Sequence, residues 1–66
     1  MKPSEKAIEV LRELRARGLS LDEALTEMRD SKFGLIGVVK AIHVVEGQSY
    51  TEAVGWLERR GDASRF

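Results

Sequence analysis

Sixty-six residues leave room for one domain, near the lower limit at which a hydrophobic core alone can hold a fold. The chain has no cysteine, so it can form neither a disulfide nor a thiolate metal site, which makes a reducing, cytoplasmic setting the expected one. Eleven lysines and arginines balance eleven aspartates and glutamates, so the chain as a whole has no field that draws it to nucleic acid or to an acidic membrane; its apolar runs are too short to span a bilayer, and residues 1–5 lack the apolar stretch of a signal peptide.

In chain order, Pro3, Ser4 and Glu5 read as a helix start: proline is tolerated in the first turn, serine caps, and a carboxylate suits the positive end of the helix dipole. Ala7, Ile8, Leu11 and Leu14 recur at helical spacing with Val10 beside them, and Gly18 supplies a left-handed stop. A first helix over residues 4–17 follows. Ser20 and Glu23 then have the spacing of a capping box, in which each side chain accepts from the backbone amide of the other residue. Leu21, Ala24, Leu25 and Met28 line the inner face of a second helix over residues 21–30. The pattern breaks over 29–33, where Asp30 or Ser31 is available as the next cap.

The third helix, residues 34–46, is the stretch the others must pack around. Leu35, Val38, Val39, Ile42 and Val45 form one continuous stripe, and Gly37, Ala41 and Val44 form a smaller apolar face behind it. Only a narrow sector with Lys40, His43 and Glu46 suits water, and a helix apolar nearly all round belongs at the centre of a bundle or in an interface. It stops at Gly47. Ser49 and Glu52 repeat the capping box, and Tyr50, Ala53, Val54 and Leu57 line a fourth helix over 50–60, with Trp56 on its flank and Gly61 as its stop. Residues 62–66 read as a flexible tail. Gly37 and Gly55 stand inside helices, where glycine costs about 1 kcal/mol relative to alanine, so a close backbone approach is expected at Gly37 and is one of two readings at Gly55, the other being a tolerated surface glycine.

An internal similarity emerges at an offset of 29 residues (47 − 18): Gly18, Ser20, Glu23 and Ala24 recur as Gly47, Ser49, Glu52 and Ala53, and Val10 as Val39. Duplication explains it, and so does a shared obedience of both turns to the same capping rules. The period matches none of the common helical solenoids. The expected architecture is all-α: four short helices as two tandem αα-hairpins packed around the third.

Chemistry-bearing groups are thin. His43 is the only histidine, with Lys40 and Glu46 three residues to either side and able to pair with it, and it reads as a solvated side chain rather than a ligand or base. No enzyme activity, cofactor or metal is expected. Arg12, Arg15 and Arg17, and Arg59, Arg60 and Arg65, form two basic clusters that would suit a small helix-turn-helix-like nucleic-acid-binding regulator, the alternative reading. They also stand near helix C-termini, where the dipole favours cations without any ligand.

The run Val38-Val39-Lys40-Ala41-Ile42-His43, then Gly47, Glu52-Ala53 and Leu57-Glu58, resembles the helical hairpin in the C-terminal domain of the bacterial ribosomal stalk protein. That resemblance implies contact with translational GTPases, with Lys40 on one of the family's basic contact positions; His43 stands where the family usually has arginine, and no segments for its strands are present. Glu27-Met28, Phe33-Gly34, Ala41-Ile42, Gly47 and Glu52-Ala53-Val54-Gly55-Trp56-Leu57 are similar, in order, to the ubiquitin-associated-type helical module also found at the start of bacterial elongation factor Ts. Here the loop reads Ser-Lys-Phe-Gly in place of Met-Gly-Phe or Met-Gly-Tyr. Both resemblances imply small helical modules that bind another protein.

The expected function is therefore a non-enzymatic protein–protein interaction module, with Phe33, Lys40, His43 and Trp56 as its contact residues. Phe33 and Trp56 are equally the large side chains that a core this small needs inside. Self-association through Gly37, Ala41 and Val44 is expected if the other helices leave that face uncovered.

Overall fold

Glycine turns and serine caps set the course of the chain. In the computed structural model, which describes residues 3–29 and 33–61, these turns separate four helices: α1 (Pro3–Ala16), α2 (Leu21–Arg29), α3 (Leu35–Glu46) and α4 (Tyr50–Arg60). The described residues contain no strand, so the fold is all-α. None of these helices is long and apolar enough to cross a membrane. The candidate caps Asp30 and Ser31, and residues 62–66 with Arg65, lie outside the described residues.

At the end of α1, Gly18 takes a positive φ of 94°, and the amides of Gly18 and Leu19 donate back to the carbonyls of Arg15 and Leu14 at 3.0 and 3.3 Å. This pair of bonds is a Schellman stop, which satisfies carbonyls that the helix end leaves open. Both capping boxes form. Glu23 N donates to Ser20 Oγ at 3.1 Å while Ser20 N donates to Glu23 Oε1 at 2.9 Å. Ser49 and Glu52 repeat the arrangement at 3.1 and 3.0 Å. Two helix starts differ from the sequence expectation. Helix α1 already includes Pro3, which places Ser4 within the first turn instead of before it. Helix α3 is capped by Gly34, at φ 84° and without a side-chain bond, because the chain enters it in a conformation open to glycine.

Burial joins these elements into one core. Ala7 and Leu11 of α1, Leu25 and Met28 of α2, Ile42 of α3 and Leu57 of α4 are all fully buried. Helix α3 packs chiefly on α1, α2 packs on α1, and α4 packs on α3. The molecule is thus two hairpins, α1–α2 and α3–α4, joined through their first helices. Side chains tie the outer parts together. Arg15 Nε and Nη2 grip the two carboxylate oxygens of Glu46 at 3.0 and 3.4 Å, and its Nη1 donates to the Leu19 carbonyl at 2.7 Å, which links the ends of α1 and α3. Arg60, only 12% exposed, donates to the Asp22 carbonyl at 2.9 Å, to the Asp22 carboxylate and to Thr26 Oγ1 at 2.8 Å, linking the end of α4 to α2.

Candidate functional site

The outward side of α3 is where the residues depart from what burial requires. Its core face holds Val38, Ala41 and Ile42, each fully buried. On the opposite side, at helical i, i+4, i+8 spacing, stand Ile36, Lys40 and Val44, all exposed. Ile36 is 83% exposed, the most exposed large apolar side chain among the described residues. Beside it α4 presents Tyr50, 52% exposed, and Val54. Together with Leu35 and Val39 these side chains line an open groove of about 390 Å³ between α3 and α4, and Lys40 is the one charged residue among the six that line it.

The rim of the groove is held by the α3–α4 turn. Gly47, in the left-handed conformation at φ 71°, stops α3 and donates to the His43 carbonyl. The imidazole of His43 donates from Nδ1 to the Gln48 carbonyl at 2.5 Å, and its ring stacks on Tyr50 with centroids 4.4 Å apart and planes 20° from parallel. His43 is therefore a half-buried staple across the turn, not the solvated side chain expected from the sequence. It does not pair with its helical neighbours either. Glu46 is taken by Arg15 from α1, and Lys40 points along the groove side of the helix. What this staple does for the groove is positional: it orients the Tyr50 ring that forms one wall.

The other expected contact residues fall elsewhere. Phe33 and Trp56 are half-buried and pack against the core, as a chain with few large side chains requires. The Arg59 guanidinium carbon lies 5.3 Å from the centre of the Trp56 ring. Lys40 is the only one of Phe33, Lys40, His43 and Trp56 that lines the groove, with His43 touching it through Tyr50. The small-residue face expected for self-association is not left open. Gly37 and Ala41 are buried inside the chain, so of that set only Val44, at 44%, reaches the surface.

Ile36 belongs to neither of the two apolar faces that helical spacing assigns to α3. The signal was its spacing: Ile36 precedes Lys40 by four residues, so an isoleucine shares the strip reserved for water. Tyr50, expected on the inner stripe because it stands three residues before Ala53, is the first residue of α4 and overhangs the core.

The charged groups around the site are mostly engaged within the chain. Arg15 pairs with Glu46, Arg17 Nη2 with Glu13 at 2.7 Å, and Arg60 with Asp22. Glu23 and Glu52 are held below the usual carboxylate range, first by the backbone amides of Ser20 and Ser49 and then by the serine hydroxyls, bonds that favour the ionised form. Among the described residues no group of three or more histidines, aspartates or glutamates is placed to hold a metal ion. No protein-family model matches the chain, and no curated protein or solved structure matches it.

Proposed function

We propose that the protein is a small protein–protein interaction module that binds through the α3–α4 groove, with Lys40 as its charged contact. The observation that carries this reading is Ile36: a chain short of large apolar residues leaves one 83% exposed at the edge of an apolar groove. Contiguous apolar surface with a polar rim is characteristic of contact sites. The resemblance of the second hairpin to the stalk-protein hairpin, with Lys40 on a basic contact position, supports the same face. Nucleic-acid binding is less favoured, because Arg15, Arg17 and Arg60 of the two basic clusters are bonded to carboxylates of their own chain.

The test is affinity capture from a lysate of the source cell, with and without nuclease, using the wild-type chain and the Lys40→Glu variant. A discrete protein that survives nuclease and is lost from the Lys40→Glu variant is the expected result. Bound material that vanishes with nuclease would replace this reading with the nucleic-acid one, and capture indifferent to Lys40→Glu would move the contact off the groove.

A further inference from the structure

The 29-residue offset relates the groove to a part of the molecule that is already filled. Two of the six lining positions, Leu35 and Val39, correspond at this offset to exposed Lys6 and half-buried Val10, and the other four, Ile36, Lys40, Tyr50 and Val54, correspond to Ala7, Leu11, Leu21 and Leu25 in the first hairpin. All four of those are buried in the core, whereas Ile36, Lys40 and Tyr50 are exposed and Val54 is half-buried. The hairpins are built alike, each with a left-handed glycine stop and a serine–glutamate capping box. The difference is the neighbour: α3 packs on α1, and among the described residues no further helix packs on the corresponding side of α3.

The two hairpins are thus related head to tail rather than by a two-fold axis, since a two-fold would bury equivalent residues alike. A head-to-tail relation uses two different surfaces and leaves one of each unfilled. One is the α3–α4 groove. The other is the side of α1 equivalent to the core face of α3, where Val38, Ala41 and Ile42 correspond to Glu9, Arg12 and Glu13, all exposed and charged. A second copy cannot therefore fill the groove by repeating the internal contact.

We infer that the groove takes a helix from a different chain, docked on α3 as α3 docks on α1: an amphipathic helix with small and branched apolar side chains at i, i+3 and i+4, like Val38, Ala41 and Ile42, and a carboxylate facing Lys40. The carboxylate follows from the substitution of Leu11 by Lys40 in the equivalent position, which places a cation in an otherwise apolar wall. This inference rests on the groove being a protein-contact surface and adds the form and charge of what it contacts.

The probe is a fluorescently labelled, side-chain-bridged helical peptide that keeps the Val38, Val39, Ala41 and Ile42 stripe of α3 and carries glutamates at its remaining positions. Binding is read by anisotropy against the wild-type chain, Ile36→Asp and Lys40→Glu, with circular dichroism to verify each fold. Ile36 is exposed near the N-terminus of α3, where an added carboxylate is compatible with the helix. The expected result is saturable binding by the wild type that weakens roughly tenfold or more in the folded Ile36→Asp chain. Lys40→Glu should also weaken it, and a peptide with lysines in place of the glutamates should restore binding to that variant. Equal binding by Ile36→Asp, no saturation up to about 1 mM, or a wild-type chain that sediments as a dimer dissociated by Ile36→Asp would each overturn the inference. If it fails while lysate capture still depends on Lys40, the interaction reading stands without a helical partner; if both fail, both are wrong.

Discussion

At Gly55, in the middle of α4, an added methyl group would meet open space, and the backbone is already helical. The close approach that would justify glycine there is absent. Gly55→Ala is therefore expected to raise stability by about 0.5–1 kcal/mol, since alanine has less conformational freedom to lose in a helix. Gly47 offers the opposite case. Its neighbourhood is equally open, but its φ of 71° is one that a residue with a Cβ adopts at a cost of about 1–2 kcal/mol, so Gly47→Ala is expected to lower stability by about that much. Thermal melts separate the two, because each kcal/mol moves the midpoint of a domain this size by about 4–8 °C. If Gly55→Ala proves destabilising, the fold itself uses the glycine, and the open space beside it does not account for its presence. Both glycines were visible in the sequence as helix interior and helix stop, and only the space around Gly55 required coordinates.

Helix starts are the element-scale feature with a chemical signature. Ser20 and Ser49 each satisfy an amide that the helix leaves open, and alanine at either position is expected to cost about 1 kcal/mol. Their partners Glu23 and Glu52 link the boxes to pH. Both carboxylates are held below the usual range by the serine amides and hydroxyls, so the stability they contribute is fully present above the unfolded-state pKa. It is lost as the pH falls through that range and on through the lower folded-state value. The melting midpoint should drop on acidification, and the drop should be shallower in the Glu23→Gln, Glu52→Gln double variant, whose amides accept the same bonds without titrating. An unchanged slope in melts taken from about pH 7 to about pH 3 would place the acid sensitivity elsewhere. These boxes were legible because a serine and a glutamate three residues apart complete the geometry within one turn. The cap of α3 was not: Gly34 carries no side chain to announce it.

For the molecule as a whole, the outer helices α2 and α4 meet mainly through Arg60. Its guanidinium, largely shielded from water, spans Asp22 and Thr26 across 38 and 34 residues of chain. Arg60→Ala is expected to cost about 1–2 kcal/mol, and Arg60→Lys to recover little of it, because an ammonium cannot reproduce a planar fork that donates to two residues at once. Denaturant titration of the two variants checks this, and a fully stable lysine variant would reduce the clasp to a point-charge contact. Arg15 acts similarly between α1 and Glu46. Through these bonds the chain consumes arginines that, read as a sequence, looked like clusters available to a polyanion.

The division between what was legible and what was not follows the range of the forces involved. Helical periodicity, glycine stops and capping boxes act within about four residues, so the four helices and their inner stripes could be read from residue order. Exposure acts at no fixed range. Ile36 and Ala7 occupy corresponding places in two similar hairpins, and one is open while the other is buried because α3 packs on α1 and, among the described residues, no further helix packs on the same side of α3. The same holds for His43, whose neighbours Lys40 and Glu46 lie on its own helix while its partners Gln48 and Tyr50 reach it only after the chain has turned at Gly47. Local chemistry alone determined the helices; which of their faces became the core and which became the groove depended on how the two hairpins stack.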